Sequence, residues 1–341
     1  MAPSGENAQP WRFKVSDNTV FLYNDPKSDQ SFYNSGQRAS YVAHGAAIEN
    51  MVLRAGALGY SVDVKFFPDK SQADLVAAVV LEKKDGVAVD PLAGNIDQRC
   101  TNRKPYKTDS LSNEEKDALT GTVAGGAKEV SLVLVDDRTS IETIARIGGL
   151  NEQIMLGTPE IHNFFFSHVN WTKEEDDRKK IGFYIETLEL PPPAKALFKL
   201  FRHWSVMRLF GMLGFPKIVA KQNAATYASA GAVIGAIIPD SSPESYIALG
   251  RSIQRMWLMA TKLGLSIQPL GGVVFLMSKI RLGDTAGFSE DLVALIRDAH
   301  KDSAQVFKAT DKIVGMSFRV GRGDAPSARA TRFNVEEVLI L

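Results

Sequence analysis

The chain has few of the features that mark secreted, metal-binding or membrane-spanning proteins. Its 341 residues include one cysteine, Cys100, which excludes an intrachain disulfide. No Cys/His cluster has the spacing of a metal site, and no apolar run reaches about 18 residues without a charge. The first residues lack the basic and apolar regions of a signal peptide. We therefore expect a cytoplasmic protein that holds no metal ion.

The chain also lacks an excess of either charge. Forty Lys and Arg residues face 39 Asp and Glu residues, so the formal net charge is +1. No overall field attracts nucleic acid, and a membrane surface is not favoured as a partner either. Because 45% of the residues are hydrophobic, the chain can bury a sizeable core and form roughly two domain-sized units.

Apolar periodicity predicts both strands and helices. The predicted strands are a hairpin at 11–24 and runs at 75–81, 131–135, 231–238 and 314–320. The predicted helices span 45–59, 243–264 and 289–309, with a further one beginning near Ser112. The stretch 150–222 matches neither pattern.

Two of these segments resemble one another. Aligning Gly45–Ser61 with Gly250–Ser266 without gaps gives identity at about half of the positions, including the pair Gly45 and Gly250. Each copy is followed by a β-rich apolar run, which favours an internal repeat of a strand-helix-strand unit. The alternative is that two amphipathic core helices are alike because both are buried.

The segment APSGENAQPW, near the start, places three hydrogen-bonding side chains in one short loop. Pro3 fixes its path, and Ser4, Asn7 and Gln9 suit the polar edge of a planar heterocycle. The alternative is a capped turn that leads into a strand. The segment resembles the flavin-binding loop of the nitroreductase family, which reads Pro-Ser-x-x-Asn-x-Gln-Pro-Trp.

A second segment, Arg99-Cys100-Thr101-Asn102-Arg103, resembles the phosphate arm of that family, Arg-x-Ser-x-Arg, with Thr101 in place of serine. Two guanidinium groups and a hydroxyl at alternate positions can converge on one phosphate. Without the other segments, such an arm would also fit a solvated basic surface.

A third segment, LGLSIQPLGG, resembles the loop with which the family approaches the flavin ring; it contains Pro269, Gly271 and Gly272. Glycine lets backbone come close to the ring, although a plain helix C-cap is the alternative. The tail from Arg319 to Val338 resembles the family's closing strand, and this resemblance implies that Arg332 is a third phosphate ligand.

The resemblance, closest to the fused two-repeat, Acg-type nitroreductase-like proteins, implies an α+β fold. Two fused half-repeats, 1–98 and 99–341, would form an intramolecular pseudo-dimer with mainly antiparallel sheets flanked by helices. No phosphate arm precedes Met1, and the segment 227–232 lacks the amides of the first loop. The family's N-terminal helix is also absent, either by nature or by truncation. One FMN per chain, in a monomer, is therefore expected.

The family's chemistry implies that NAD(P)H gives hydride to FMN, which then reduces a nitroaromatic, a quinone or a similar small-molecule acceptor. Because the cofactor carries this chemistry, we predict no catalytic side chain. The alternative function is sequestration of FMN without turnover, beneath a closed lid.

That lid would be formed by the insertion 150–222, which contains an aromatic cluster and a basic amphipathic run. Its apolar face could cover the flavin while Lys195, Lys199, Arg202 and Arg208 stay in water. Extra core packing is the second interpretation of the insertion. Attachment to an anionic membrane surface is the third and least favoured.

Overall fold

The computed structural model describes residues 1–124 and 129–340, so the predicted second half, 99–341, includes a few residues outside this description. The predicted α+β class is confirmed, since helices flank two four-stranded antiparallel sheets. The ten strands are β1 (Trp11–Ser16), β2 (Thr19–Asn24), β3 (Tyr60–Phe66), β4 (Leu75–Lys83), β5 (Ser131–Val135), β6 (Val169–Asn170), β7 (Phe183–Tyr184), β8 (Ala232–Ile238), β9 (Ser266–Pro269) and β10 (Ile313–Gly321).

The helices lie on both sides of these sheets and also form most of the insertion. They are α1 (Arg38–Ala57), α2 (Asn113–Thr120), α3 (Arg138–Gly157), α4 (Pro159–Ser167), α5 (Lys173–Lys179), α6 (Pro192–Phe201), α7 (Trp204–Met212), α8 (Phe215–Ala228), α9 (Pro243–Lys262), α10 (Gly272–Arg281), α11 (Glu290–Val306) and α12 (Val335–Val338). None of the helices described is both long and apolar enough to cross a bilayer.

The two large sheets have the same strand order. The first runs β1-β2-β4-β3 and carries α1 between its second and third strands in the chain. The second runs β5-β8-β10-β9 and carries α9 at the corresponding place. The helices α1 and α9 pack against each other between the sheets. The internal repeat remains our interpretation of this shared order.

Helix α1 begins earlier than the sequence pattern predicted. It starts at Arg38 rather than at residue 45, and it ends just before Gly59, whose φ of 79° is in the left-handed region. The early turns are missed because small buried residues, among them Ala39, Ser40 and Gly45, lie on several faces and leave no apolar stripe. Burial between two layers therefore explains the error.

The stretch 150–222 is helical for most of its length, contrary to the absence of a pattern in the sequence. Its helices α4 to α8 have 7–14 residues each, too few for periodicity to stand out. Proline begins α4 and α6, and Gly214, at a φ of 78°, precedes α8. The apolar side of these helices packs into a hydrophobic cluster that also contains residues of α3, β8, α10 and α11. Phe166, Phe201 and Met207 are fully or nearly buried there.

Candidate functional site

One cavity of about 130 Å³ brings together three of the four segments singled out in the sequence. The N-terminal loop, the arm 99–103 and the tail 328–332 line it, and part of the insertion closes one side. Its walls are formed by Met1, Pro3, Ser4, Asn7, Arg99, Cys100, Thr101, Arg103, Gly182, Phe183, Thr187, Ala328, Arg329, Ala330 and Arg332. The sequence indicated no role for Gly182, Phe183, Thr187 or Arg329.

Arg99 and Arg332 carry positive charge into this cavity, and neither forms an ion pair with a carboxylate in the part of the chain that the structure describes. Arg99 is 6% exposed; its Nε and Nη2 donate to the Met1 carbonyl oxygen at 3.2 and 3.0 Å, and its guanidinium lies 4.5 Å from the centre of the Trp257 ring. The Nη1 atom of Arg332 is buried and has no hydrogen-bond partner among residues 1–124 and 129–340. Burial, and then the like charge of Arg332, lower the pKa of Arg99 to about 9, while burial lowers that of Arg332 to about 10.

Arg103 also lines this cavity. Its Nη1 donates to the carbonyl oxygen of Thr187 at 2.9 Å, and burial lowers its pKa. Asn102 holds the arm in place because its backbone N–H donates to the Ile267 carbonyl at 3.1 Å and its amide to the Ser266 hydroxyl at 2.9 Å. The arm is thus fixed to the edge of β9.

The charge distribution of the cavity fits a phosphate. Among residues 1–124 and 129–340, no carboxylate lies within ion-pair distance of Arg99, Arg103 or Arg332. Buried charges without partners cost several kcal/mol, and an anion with several oxygens offsets this cost through charge-assisted hydrogen bonds. The arginines of the cavity therefore suit the phosphate group of FMN.

The N-terminal loop is held by its own polar side chains. Gln9 donates through Nε2 to the Lys180 carbonyl at 2.7 Å and accepts from the backbone N–H of Phe333 at 3.0 Å. The Nδ2 atom of Asn7 donates to the carbonyl oxygens of Lys180 and Thr331 at 3.0 and 2.8 Å. The Oδ1 atom of Asn7 is buried and has no hydrogen-bond partner among the described residues. Contact of Asn7, Gln9 and Ser4 with the flavin stays a prediction, and Asn7 Oδ1 is the acceptor still free to serve it.

The predicted ring loop joins β9 to α10. A Cβ on Gly271 would lie 2.5 Å from the Met316 sulfur, and one on Gly272 would lie 2.0 Å from Oδ1 of Asn151. Each glycine thus lies against a side chain of another segment, and a larger residue at either position would require that side chain to shift. Pro269 ends β9 opposite Phe318 of β10. The approach of this loop to a flavin ring remains a prediction.

A polar cluster beside Gly272 escaped the sequence reasoning because its members come from separate segments. Asn151 and Glu152 lie on α3, and the hydroxyl of Tyr227 on α8 donates to Glu152 Oε1 at 2.8 Å. Oε2 of Glu152 and Oδ1 of Asn151 are buried without partners. Burial raises the pKa of the Glu152 carboxyl to about 7. Glu6, in the N-terminal loop, has a pKa raised to about 8 by burial and by the negative charge of Asp29.

Comparisons of the sequence point in the same direction as its motifs. No family model matches the chain. An uncharacterised protein of Mycobacterium tuberculosis is 25% identical over 273 residues, which cover 80% of this chain. A protein of the same species that carries a provisional NAD(P)H nitroreductase name is 30% identical over 106 residues, or 31% of this chain. The aligned regions span 37% and 31% of these relatives, about a third of their length.

Among solved structures, the chain resembles FMN-binding nitroreductases, as its motifs predicted. A nitroreductase with bound FMN from Desulfitobacterium hafniense gives a TM-score of 0.41 at 10% identity, covering 74% of this chain and 99% of that one. The NADPH:FMN oxidoreductase of Vibrio harveyi complexed with NAD⁺ gives 0.38 at 12% identity, covering 72% and 75%. TM-scores of 0.41 and 0.38 do not assign a function to the chain.

Proposed function

We propose that the chain binds FMN and works as an oxidoreductase of the nitroreductase type. In this proposal NAD(P)H is the reductant, and a nitroaromatic, a quinone or a similar small molecule is the acceptor. The observation that carries the proposal is the cavity in which Arg99 and Arg332 meet without a carboxylate, beside the loop that contains Ser4 and Asn7.

FMN, when bound, would supply the hydride chemistry, which asks no nucleophile or metal of the protein. Arg99, Thr101, Arg103 and Arg332 would hold its phosphate. The hydroxyl of Thr101 suits this task because it lines the cavity and makes no hydrogen bond to a described residue. The cavity's walls, including Phe183, would exclude water from the bound group.

We further propose one FMN per chain in a monomer. The support for this stoichiometry is the segment 227–232, which lacks side-chain amides where a second flavin loop would lie. Titration of the purified chain with FMN should saturate near one flavin per polypeptide. Two tightly bound flavins would contradict this stoichiometry.

The decisive experiment compares FMN with riboflavin, which lacks the phosphate. The parent should prefer FMN, and Arg332→Gln should weaken FMN binding about ten- to hundredfold, because it removes a charge-assisted contact, while leaving riboflavin binding unchanged. Arg297→Gln, an exposed position on α11, is the matched control. If both variants bind FMN like the parent, the proposed phosphate site is wrong.

Turnover is tested on the same protein loaded with FMN. NADH or NADPH should bleach the flavin absorbance anaerobically within seconds to minutes, and an added quinone or nitroaromatic should restore it. A tightly bound FMN that neither nicotinamide reduces would support sequestration instead of catalysis.

A further inference from the structure

The insertion contains a long stretch without any acidic residue. Between Glu189 and Asp240 the chain has six basic residues and no Asp or Glu, so this stretch carries +6 while the whole chain carries +1. The six are Lys195, Lys199, Arg202, Arg208, Lys217 and Lys221. All except Lys195, which pairs with Glu186, are exposed, and these five form no ion pair with a described residue.

The same stretch also exposes large aliphatic side chains. Helices α6 to α8 turn their aromatic side toward the core, where Phe198, Phe201 and Phe215 pack. Six large apolar residues of this stretch are exposed: Leu197 (38%), Leu200 (48%), Leu209 (55%), Met212 (73%), Leu213 (74%) and Ile218 (59%). Large apolar residues that a soluble protein exposes in one region often mark a surface that binds a partner.

These apolar residues do not form a lid over the candidate flavin cavity. The part of the insertion that lines the cavity is Gly182, Phe183 and Thr187, which precede α6. Helix α7 contacts α3, α4, α6 and α8 instead, and Phe198 of α6 packs against Phe165 and Phe166 of α4. The outer side of α6 and α7 therefore does not line the cavity proposed to hold the flavin phosphate.

The positive charges and exposed apolar residues of α6 to α8 favour one kind of partner over others. A second copy of the chain would bring two sets of six like charges together, which opposes a symmetric contact. Single-stranded nucleic acid is held by aromatic stacking in addition to charge, whereas the exposed apolar residues here are aliphatic. An anionic lipid surface offers negative headgroups to the basic residues and an acyl layer to the aliphatic ones.

We propose that α6 to α8 form a docking face for an anionic membrane surface, with Leu209, Met212 and Leu213 entering the acyl boundary. This face, which we call the basic apolar face, consists of the six aliphatic and six basic residues named above. From the sequence alone, membrane attachment was the least favoured of the three interpretations of the insertion. The structure changes this order because it shows that Met212 and Leu213 are exposed, which the sequence does not reveal. It is independent of the proposed flavin chemistry.

Co-sedimentation of the full chain with lipid vesicles tests this proposal. The chain should bind vesicles that contain about a third phosphatidylglycerol, bind weakly to pure phosphatidylcholine, and dissociate as salt rises, because each basic residue near the surface contributes about fivefold to partitioning. Lys217→Gln with Lys221→Gln should lower partitioning by an order of magnitude. Equal binding to neutral and anionic vesicles, or binding to neither, would overturn the proposal.

A pair of matched variants separates the face from general surface polarity. Met212→Glu with Leu213→Glu should abolish vesicle binding, while Val15→Glu with Val89→Glu, at residues 59% and 63% exposed on other parts of the surface, should leave it intact. Unfolding curves establish that both double variants are folded. If the parent is a dimer by light scattering and only the first double variant is a monomer, the face is a contact between chains and the proposal fails.

Discussion

Gly45 and Gly250 lie against each other where α1 crosses α9. A Cβ on Gly45 would be 2.1 Å from the carbonyl oxygen of Ile247 and 2.9 Å from the Cα of Gly250, and one on Gly250 would be 2.0 Å from the carbonyl oxygen of Val42. These neighbours are backbone atoms, which cannot turn aside as a side chain can. The two glycines that align in the sequence therefore both serve the closest contact between the two helices.

The first prediction follows from this contact. Gly250→Ala should lower the free energy of unfolding by about 1–3 kcal/mol, because the added methyl group forces α1 and α9 apart. Gly56→Ala is the control: it also lies in α1, its Cβ would meet nothing closer than 3.9 Å, and alanine favours a helix over glycine by about 0.5–1 kcal/mol. Urea unfolding measures both. Equal effects of the two changes would contradict the close crossing.

The second prediction separates a structural role of Gln9 from a flavin contact. Gln9→Ala removes the amide that bonds Lys180 and Phe333, so the flavin-free protein should lose about 1–3 kcal/mol of unfolding free energy. Gln30→Ala, at an exposed position, should lose little. A side chain that only touches flavin would leave the stability of the flavin-free protein unchanged and weaken FMN binding alone.

The third prediction concerns Arg103, whose Nη1 donates to the Thr187 carbonyl oxygen. Arg103→Ala should weaken FMN binding about ten- to hundredfold and spare riboflavin, since one charge-assisted fork to the phosphate is lost. Fluorescence quenching of both flavins measures the difference. An equal loss of both flavins would place Arg103 at the ring or the ribityl chain rather than at the phosphate.

The elements that sequence predicted well are those whose pattern is complete within one segment. The hairpin β1 to β2, the buried strands β4 and β8, and helix α9 each carry an apolar pattern of adequate length. The arm 99–103 and Arg332 also meet in one cavity, as the motifs implied. The edge strand β3, which is exposed or half-exposed along its whole length, gave no such pattern.

The parts that sequence missed depend on contacts between distant segments. At Gly272 a Cβ would meet the side chain of Asn151, which lies 121 positions earlier, so a larger residue there would require that side chain to move. The bond between Tyr227 and Glu152 joins α8 to α3 across a packed helix pair. No spacing rule connects such residues, so their shared site becomes visible only when the helices are packed.

The last prediction concerns Glu152 and the pH dependence of stability. Burial raises the pKa of this carboxyl from its ordinary value of 4.5 to about 7. Between these two values the folded protein keeps a proton that the unfolded chain has released, so Glu152 makes the free energy of unfolding fall as pH rises from about 4.5 to 7. Above about pH 8 both states are ionised, and the cost stays constant at roughly 3–4 kcal/mol.

Glu152→Gln isolates this contribution, because the amide stays neutral at every pH and its Oε1 can still accept the hydrogen bond from Tyr227. Urea unfolding measures the free energy of unfolding of variant and parent at pH 5 and at pH 8. The advantage of the variant over the parent should be about 2–3 kcal/mol larger at pH 8 than at pH 5. Glu142→Gln, at an exposed position of the same helix, should run parallel to the parent. If Glu152→Gln also runs parallel to the parent, Glu152 is ionised in the folded protein at pH 5, and the carboxyl beside the predicted ring loop is a charged group rather than a proton-bearing one.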